Sequence, residues 1–115
     1  MATISEDYVS FEVAKLLKDK GFNEPTIGTY NIESKNPILV ERPIRAIHCE
    51  AIISAPTLQM AMKWLREVHD IKIMIRPYVD GTYSYEILNG FWYVNFDSYE
   101  DAAEAAIKYC LKNLI

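Results

Sequence analysis

The chain has 115 residues, of which 50% are hydrophobic and 24% are charged, a composition typical of one soluble globular domain. Its formal net charge of -4 argues against non-specific nucleic-acid binding, which depends on clustered lysine and arginine. No apolar run reaches the ~20 residues that cross a bilayer, and the opening residues lack the pattern of a secretory signal, so we expect a cytoplasmic protein that does not bind membranes.

The first predicted element is a helix over residues 8–20. Its apolar residues recur at helical spacing, and Ser10 is the expected N-cap, with Ser5 as an alternative start. Gly21 stands where a left-handed residue ends a helix, and Phe22 is placed to fold back on the helix as in a Schellman motif. The end of this helix is therefore well specified by local sequence.

Residues 23–55 carry the weakest pattern in the chain. Three prolines interrupt the segment, and each biases the residue before it away from the helical region. A short strand is predicted over Ile38–Val40 and a longer one over Ile44–Ile53. The longer run is also compatible with a partly helical segment, because periodicity does not separate the two possibilities.

The second half of the chain predicts a helix, a three-stranded antiparallel meander and a last helix. The first of these helices begins at Pro56, a residue suited to the first turn, and ends at about Val68 or His69. We expect one α+β domain over residues 1–115, with the helices packed on one face of the sheet. The strands and the last helix are predicted over residues 71–76, 82–88, 91–96 and 98–113.

The turn dipeptides of the meander predict its register. A three-residue loop over 79–81 places Ile75 opposite Tyr85, whereas a two-residue loop would set core residues against polar ones. A two-residue Asn89-Gly90 loop in the second hairpin places Tyr85 opposite Val94. The face expected to meet the helices then carries Ile71, Ile73, Ile75, Tyr83, Tyr85, Ile87, Trp92, Val94 and Phe96.

The opposite face of the predicted meander is too apolar for ordinary solvation. Either the segment Tyr30–Ile53 covers it, or a second copy or another protein does, since aromatic residues and arginine are enriched at interface centres. Met60 and Trp64 also widen the apolar arc of their helix, and we expect them to pack against Val13 and Leu17 unless Trp64 meets another chain. The candidate interface consists of Met74, Tyr78, Leu88, Phe91, Tyr93 and Trp64.

Two strings in the second half resemble a group of small uncharacterised proteins of gut Bacteroides-type bacteria and their prophages or other mobile elements. They are APTLQMAMKWLREVHDI (residues 55–71) and SYEDAAEAAIKYCLKNLI (residues 98–115), and the opening SEDYVSFEVAKLLKDKGF resembles the group to a lesser degree. The resemblance implies a bacterial or phage cytoplasmic setting and an accessory role in a mobile element. It brings no catalytic residues with it.

Few residues form a pattern that carries chemistry. His48, Cys49 and Glu50 are potential ligands or nucleophiles, but strand neighbours point to opposite faces, so only the first and third converge. Zinc takes three or four ligands, so no metal or cofactor is expected, and a small enzyme with a site there stays as an alternative. His69 is expected to be a helix-end residue, favoured by the helix dipole. Cys49 and Cys110 are expected to be buried thiols rather than a disulfide.

The α-β-β-β-α order of the second half is also that of the double-stranded-RNA-binding fold. Such domains hold phosphates at a basic start of the last helix. Here that helix starts with Asp97, Glu100 and Asp101, which suit the helix dipole and would repel phosphate, so nucleic acid is an unlikely partner. The sequence favours a non-enzymatic protein-interaction module that self-associates through the outer sheet face.

Overall fold

The structure is a computed structural model that describes residues 7–45, 50–88 and 90–115, with Phe91 described by its backbone alone. Its helices and strands confirm the mixed α+β class, and the second half has the predicted α-β-β-β-α order. None of the helices in these residues is both long and apolar enough to cross a membrane. In chain order the elements are α1 (Phe11–Asp19), β1 (Thr26–Asn31), β2 (Pro37–Ile44), β3 (Ile52–Ser54), α2 (Leu58–His69), β4 (Ile73–Pro77), β5 (Tyr83–Ile87), β6 (Phe91–Phe96) and α3 (Tyr99–Asn113).

Both ends of α1 are formed as local sequence predicts. The Ser10 hydroxyl accepts a hydrogen bond from the Val13 amide at 3.2 Å and so caps the first turn. At the other end, Gly21 has a φ of 93°, and the Phe22 amide donates to the Leu17 carbonyl at 2.9 Å, which is the Schellman pattern. The helix begins at Phe11, directly after this cap, so the start predicted at residue 8 is wrong.

The strands within the weakly patterned segment 23–55 form an antiparallel sheet of their own, in the order β2-β1-β3. Its edge strand β2 contains Pro37 and Pro43, which is compatible with an edge because one side of the strand needs no ladder hydrogen bonds. The strand predicted over Ile44–Ile53 is confirmed at its two ends and is wrong at Arg45, Glu50 and Ala51, which lie outside the strands. β2 ends at Ile44, β3 begins at Ile52, and residues 46–49 lie outside the described residues.

The start of α2 differs from the prediction. Thr57, rather than Pro56, flanks the helix, and its hydroxyl accepts a hydrogen bond from the Met60 amide at 3.1 Å. The Pro56 carbonyl is engaged with the Val9 amide at 3.0 Å, so this residue belongs to the entering chain. A side-chain oxygen can satisfy an orphan amide where proline cannot, which explains the later start. The predicted end at His69 is confirmed.

The first hairpin of the second sheet has the predicted register. Ile75 lies opposite Tyr85, and Gly81 takes a φ of 87° in a three-residue loop. The Tyr78 amide donates to the Thr82 carbonyl at 2.9 Å and closes that loop. The glycine therefore supplies the left-handed position of a type I turn with a bulge.

The predicted register of the second hairpin is wrong by one residue. Tyr85 lies opposite Tyr93 instead of Val94, because the loop has three residues, 88–90, and not two. Gly90 has a φ of 96° and donates its amide to the Ile87 carbonyl at 3.1 Å, so this turn repeats the chemistry of the first.

The shifted register turns part of β6 over. Trp92 and Val94, predicted to face the helices, are exposed on the other side of the sheet. A bulge before the end of the strand, where Asn95 has a φ of 71°, brings Phe96 opposite Tyr83, and Phe96 packs against the core as predicted. A single extra loop residue thus moves a tryptophan from the core to the surface.

The last helix lies at the centre of the molecule. α3 packs against α1, α2 and the second sheet, and the Ser98 hydroxyl caps it by accepting from the Asp101 amide at 3.0 Å. Its inner side carries Ala102, Ala103 and Ala106, all fully buried, which let its backbone approach its neighbours closely. The sheets lie apart, and α3 and α1 join them into one core.

Candidate interaction surface

The side of the second sheet that faces away from the helices is called here the outer face. Strand alternation and the observed pairing place Met74, Glu86 and Trp92 in one row across β4, β5 and β6. The neighbouring residues on the opposite side, such as Ile73 and Ile87, pack against the core. The outer face consists of Met74, Arg76, Tyr78, Ser84, Glu86, Leu88, Trp92 and Val94.

The apolar side chains of the outer face are uncovered. Trp92 is 60% exposed and Leu88 is 58% exposed, and Met74 and Tyr78 are exposed to 44% each. The described part of the segment 30–53, which was one expected cover for this face, builds the first sheet instead. An antiparallel sheet usually turns polar residues to solvent on its open side, so this face departs from the common pattern.

Polar groups on the outer face are arranged around these apolar side chains. The Tyr78 hydroxyl donates a hydrogen bond to the Ser84 hydroxyl at 3.1 Å and lies over that serine, which is buried. The Arg76 guanidinium contacts the Met74 sulfur at 3.7 Å. Among the described residues, neither Arg76 nor Glu86 takes part in an ion pair. The face therefore carries a cation and an anion without salt-bridge partners.

Trp64 does not belong to an exposed surface of the monomer. It is only 7% exposed, and its ring lies edge-on to Phe22 at 5.5 Å and to His69 at 4.7 Å. We expected Trp64 to pack against α1 through Val13 and Leu17. The aromatic contact in the structure is instead with Phe22, which follows the end of α1. The first and second halves of the chain are nevertheless joined at this point.

Two other members of the candidate interface move with the register of β6. Tyr93 lies opposite Tyr85, with ring centroids 5.7 Å apart, on the side of the sheet that faces the helices. The backbone of Phe91 lies opposite Ile87. Trp92 and Val94 occupy the places on the outer face that were expected for Phe91 and Tyr93. The structure brings together Met74, Tyr78 and Leu88 as expected.

The sequence contains a signal that would have found Trp92. The loops read Val79-Asp80-Gly81 and Leu88-Asn89-Gly90, each an apolar residue followed by Asp or Asn and glycine. Because the first requires three residues to align its strands, the same loop in the second hairpin was the consistent choice. That choice places Trp92 opposite Glu86, on the outer face.

The other residues considered for chemistry do not assemble into a reactive site in the described parts of the chain. His48 and Cys49 lie outside those parts, and Glu50 is exposed. His69 is the last residue of α2, as expected. Cys110 is a fully buried free thiol, and burial raises its pKa to about 12. No cluster of three potential metal ligands occurs in residues 7–45, 50–88 and 90–115.

A shallow groove runs along α2, away from the outer face. Its volume is about 240 Å³, and its apolar floor comes from Met60, Trp64 and Val68. Charged residues, Glu24 and Lys63 among them, stand at its rim. The groove has an apolar floor and charged edges, without a set of polar groups converging on one point.

The unit from α2 to α3 shares its element order with the double-stranded-RNA-binding fold. Glu100 and Asp101 occupy the first turn of α3, where such domains carry basic residues for phosphate. A phosphate at this point would meet like charges. Comparison of the chain with protein-family models, curated proteins and solved structures gives no match.

Proposed function

We propose that the protein is a small non-enzymatic interaction module that self-associates through the outer face. The observation that supports this most is Trp92, a large aromatic side chain that is 60% exposed in the middle row of an open sheet face. Tryptophan is the residue type most enriched at the energetic centres of protein interfaces. Burying apolar surface stabilises an assembly by roughly 25 cal/mol per Å², so an aromatic of this size contributes strongly once covered.

The composition around Trp92 supports the same function. Tyr78, Met74 and Arg76 are of the residue types enriched in interface cores. Contiguous exposed apolar patches on soluble proteins commonly mark binding sites. The resemblance of two strings to proteins of bacterial mobile elements supports an accessory role in such an element.

Self-association can be tested by sedimentation velocity over a concentration series from ~1 to ~100 µM, the range in which weak dimers dissociate. We expect a concentration-dependent dimer for the unaltered protein and a monomer for Trp92→Ala at the same concentrations. The matched control is Val79→Ala, which removes an exposed apolar side chain from the turn next to the face.

Circular dichroism of each variant checks that its fold is intact, and Leu88→Ala provides a second, smaller truncation on the same face. A monomer at every concentration of the unaltered protein would overturn the proposed self-association. If Trp92→Ala and Val79→Ala both associate as strongly as the unaltered protein, association through the outer face is overturned.

A further inference from the structure

Two opposite charges lie near the middle of the outer face. Arg76 on β4 is opposite Ser84, and Glu86 on β5 is opposite Met74, so the two charged residues are diagonal neighbours on adjacent strands. Diagonal positions on one sheet face lie about 7–8 Å apart, a separation that long side chains can span, yet these two are not paired in the structure. No ion pair of the described residues includes either one.

Covering the outer face places a demand on whatever covers it. A purely apolar partner would take Arg76 and Glu86 out of water without offering either one an opposite charge, and burying charges that are poorly paired is costly. A partner that presents an acid over the arginine and a base over the glutamate, at the same separation, offsets that cost. The outer face of a second copy carries that arrangement.

A two-fold contact exchanges the positions of two residues between copies. Consider a two-fold axis that lies in the plane between the two stacked sheets, perpendicular to the line from Arg76 to Glu86 and through its midpoint. This axis places Arg76 of each copy over Glu86 of the other. With ideal strand spacings of about 4.8 Å and rises of about 3.4 Å per residue, the same axis sets Met74 beside its own copy. It also brings Trp92 over Tyr78 of the second copy, and the strands cross at a steep angle, as in orthogonal sheet packing.

From this geometry we infer that the outer face binds a second copy of the chain across a two-fold axis that pairs Arg76 of each copy with Glu86 of the other. The inference rests on the proposed self-association and adds its symmetry and its charge pairing. Apolar burial at Trp92 supplies affinity, and the exchanged charges select the second copy and set its orientation.

Charge reversal tests the pairing. Arg76→Glu sets two acids against each other and Glu86→Arg sets two bases against each other, so each variant alone is expected to dissociate at least tenfold more readily than the unaltered protein. Mixed together, the two variants place opposite charges at both contacts, one pair reversed and one unaltered, and they are expected to form a heterodimer. The double variant Arg76→Glu/Glu86→Arg is expected to regain self-association.

Sedimentation velocity measures the dissociation constants, and native mass spectrometry identifies the heterodimer by a mass between those of the two homodimers. The matched control is Lys63→Glu, the same change of charge at an exposed position on α2, which is expected to leave association unchanged. Recovery of association in the mixture is a result that a folding defect in either variant cannot produce.

The outcomes separate this inference from the proposed function. If Trp92→Ala dissociates the protein while the charge reversals do not weaken association, or the mixture stays monomeric, the Arg76–Glu86 pairing is overturned and self-association through the face stands. If the unaltered protein is a monomer throughout, the proposed self-association fails, and the pairing fails with it.

Discussion

At Gly28 the main chain of β1 passes so close to its neighbours that no side chain fits. A Cβ atom at this position would lie 2.4 Å from the carbonyl oxygen of Ala55 and 2.6 Å from the ring of Tyr8. The Gly28 carbonyl accepts a hydrogen bond from the Ala55 amide at 2.8 Å, which holds the main chain at this distance. Local sequence does not indicate this close approach, because it involves three segments that are distant along the chain.

Gly28→Ala is therefore expected to destabilise the fold by about 1–3 kcal/mol, the usual cost of forcing extra volume into a packed site. Urea unfolding followed by circular dichroism measures the change. The control is Gly81→Asn, where open space surrounds the position and asparagine tolerates the positive φ, so a smaller loss is expected. An unchanged unfolding midpoint for Gly28→Ala would show that the three segments separate easily.

A second prediction at the residue scale concerns Cys110. Burial raises the pKa of its thiol to about 12, so near pH 8 the group stays protonated, and the thiolate is the species that reacts. In a Cys49→Ser background, we expect a thiol-specific reagent to modify Cys110 slowly in the folded protein and rapidly after unfolding. Equal rates in the two states would contradict the burial of this thiol.

At the scale of elements, a carboxylate on α1 ties that helix to α3. Glu12 accepts a hydrogen bond from the Lys108 ammonium at 3.0 Å and lies 3.6 Å from that of Lys112. The hydrogen bond from Lys108 is the main reason that the pKa of Glu12 is below its ordinary value. A lowered pKa in the folded state means that this contribution is present above the unfolded pKa and is lost as the pH falls through the folded pKa.

Glu12→Gln is accordingly expected to lower the urea midpoint slightly near pH 7 and to have no effect well below about pH 4, where the carboxylate is protonated. Because the pair is exposed, added salt should reduce the difference. Glu33→Gln is the control, since Glu33 is exposed and none of the ion pairs of the described residues includes it. A pH-independent difference would assign the effect to packing instead of charge.

The hairpins show how far local sequence determines an element. Strand alternation and the glycine of the first loop were sufficient to predict its register, because only one loop length keeps Ile75 opposite an apolar residue. In the second hairpin, both loop lengths give Ile87 an apolar partner, Phe91 or Trp92, so the alternation of β6 does not choose between them. For that reason, the residues of β6 predicted for the core and for the outer face differ from those that the structure places there.

At the scale of the whole molecule, the halves of the chain share one core. Phe22 meets Trp64 across the gap between α1 and α2, and α3 packs against both helices and the second sheet. We expect a single cooperative unfolding transition despite the presence of two separate sheets.

In a Trp92→Phe variant, the fluorescence of Trp64 and the far-ultraviolet circular dichroism should change at the same urea concentration. The matched variant Trp64→Phe keeps only the exposed Trp92. In the monomer, acrylamide should quench the emission of Trp92 far more strongly than it quenches the emission of Trp64 in Trp92→Phe. Two separate transitions in Trp92→Phe would show that the sheets unfold independently.

The sequence by itself determined the Ser10 cap and the C-terminal end of α1, the end of α2, the element order of the second half and the register of its first hairpin, because these depend on residues within a few positions of one another. Only the tertiary structure decided that β1, β2 and β3 form a separate sheet, that α3 lies at the centre and that Trp64 is covered by Phe22. The orientation of Trp92 depends on a single loop residue, which the repeated loop pattern indicates and the structure establishes. Contacts between distant segments leave no periodic trace in a chain, and those contacts build the first sheet and the shared core.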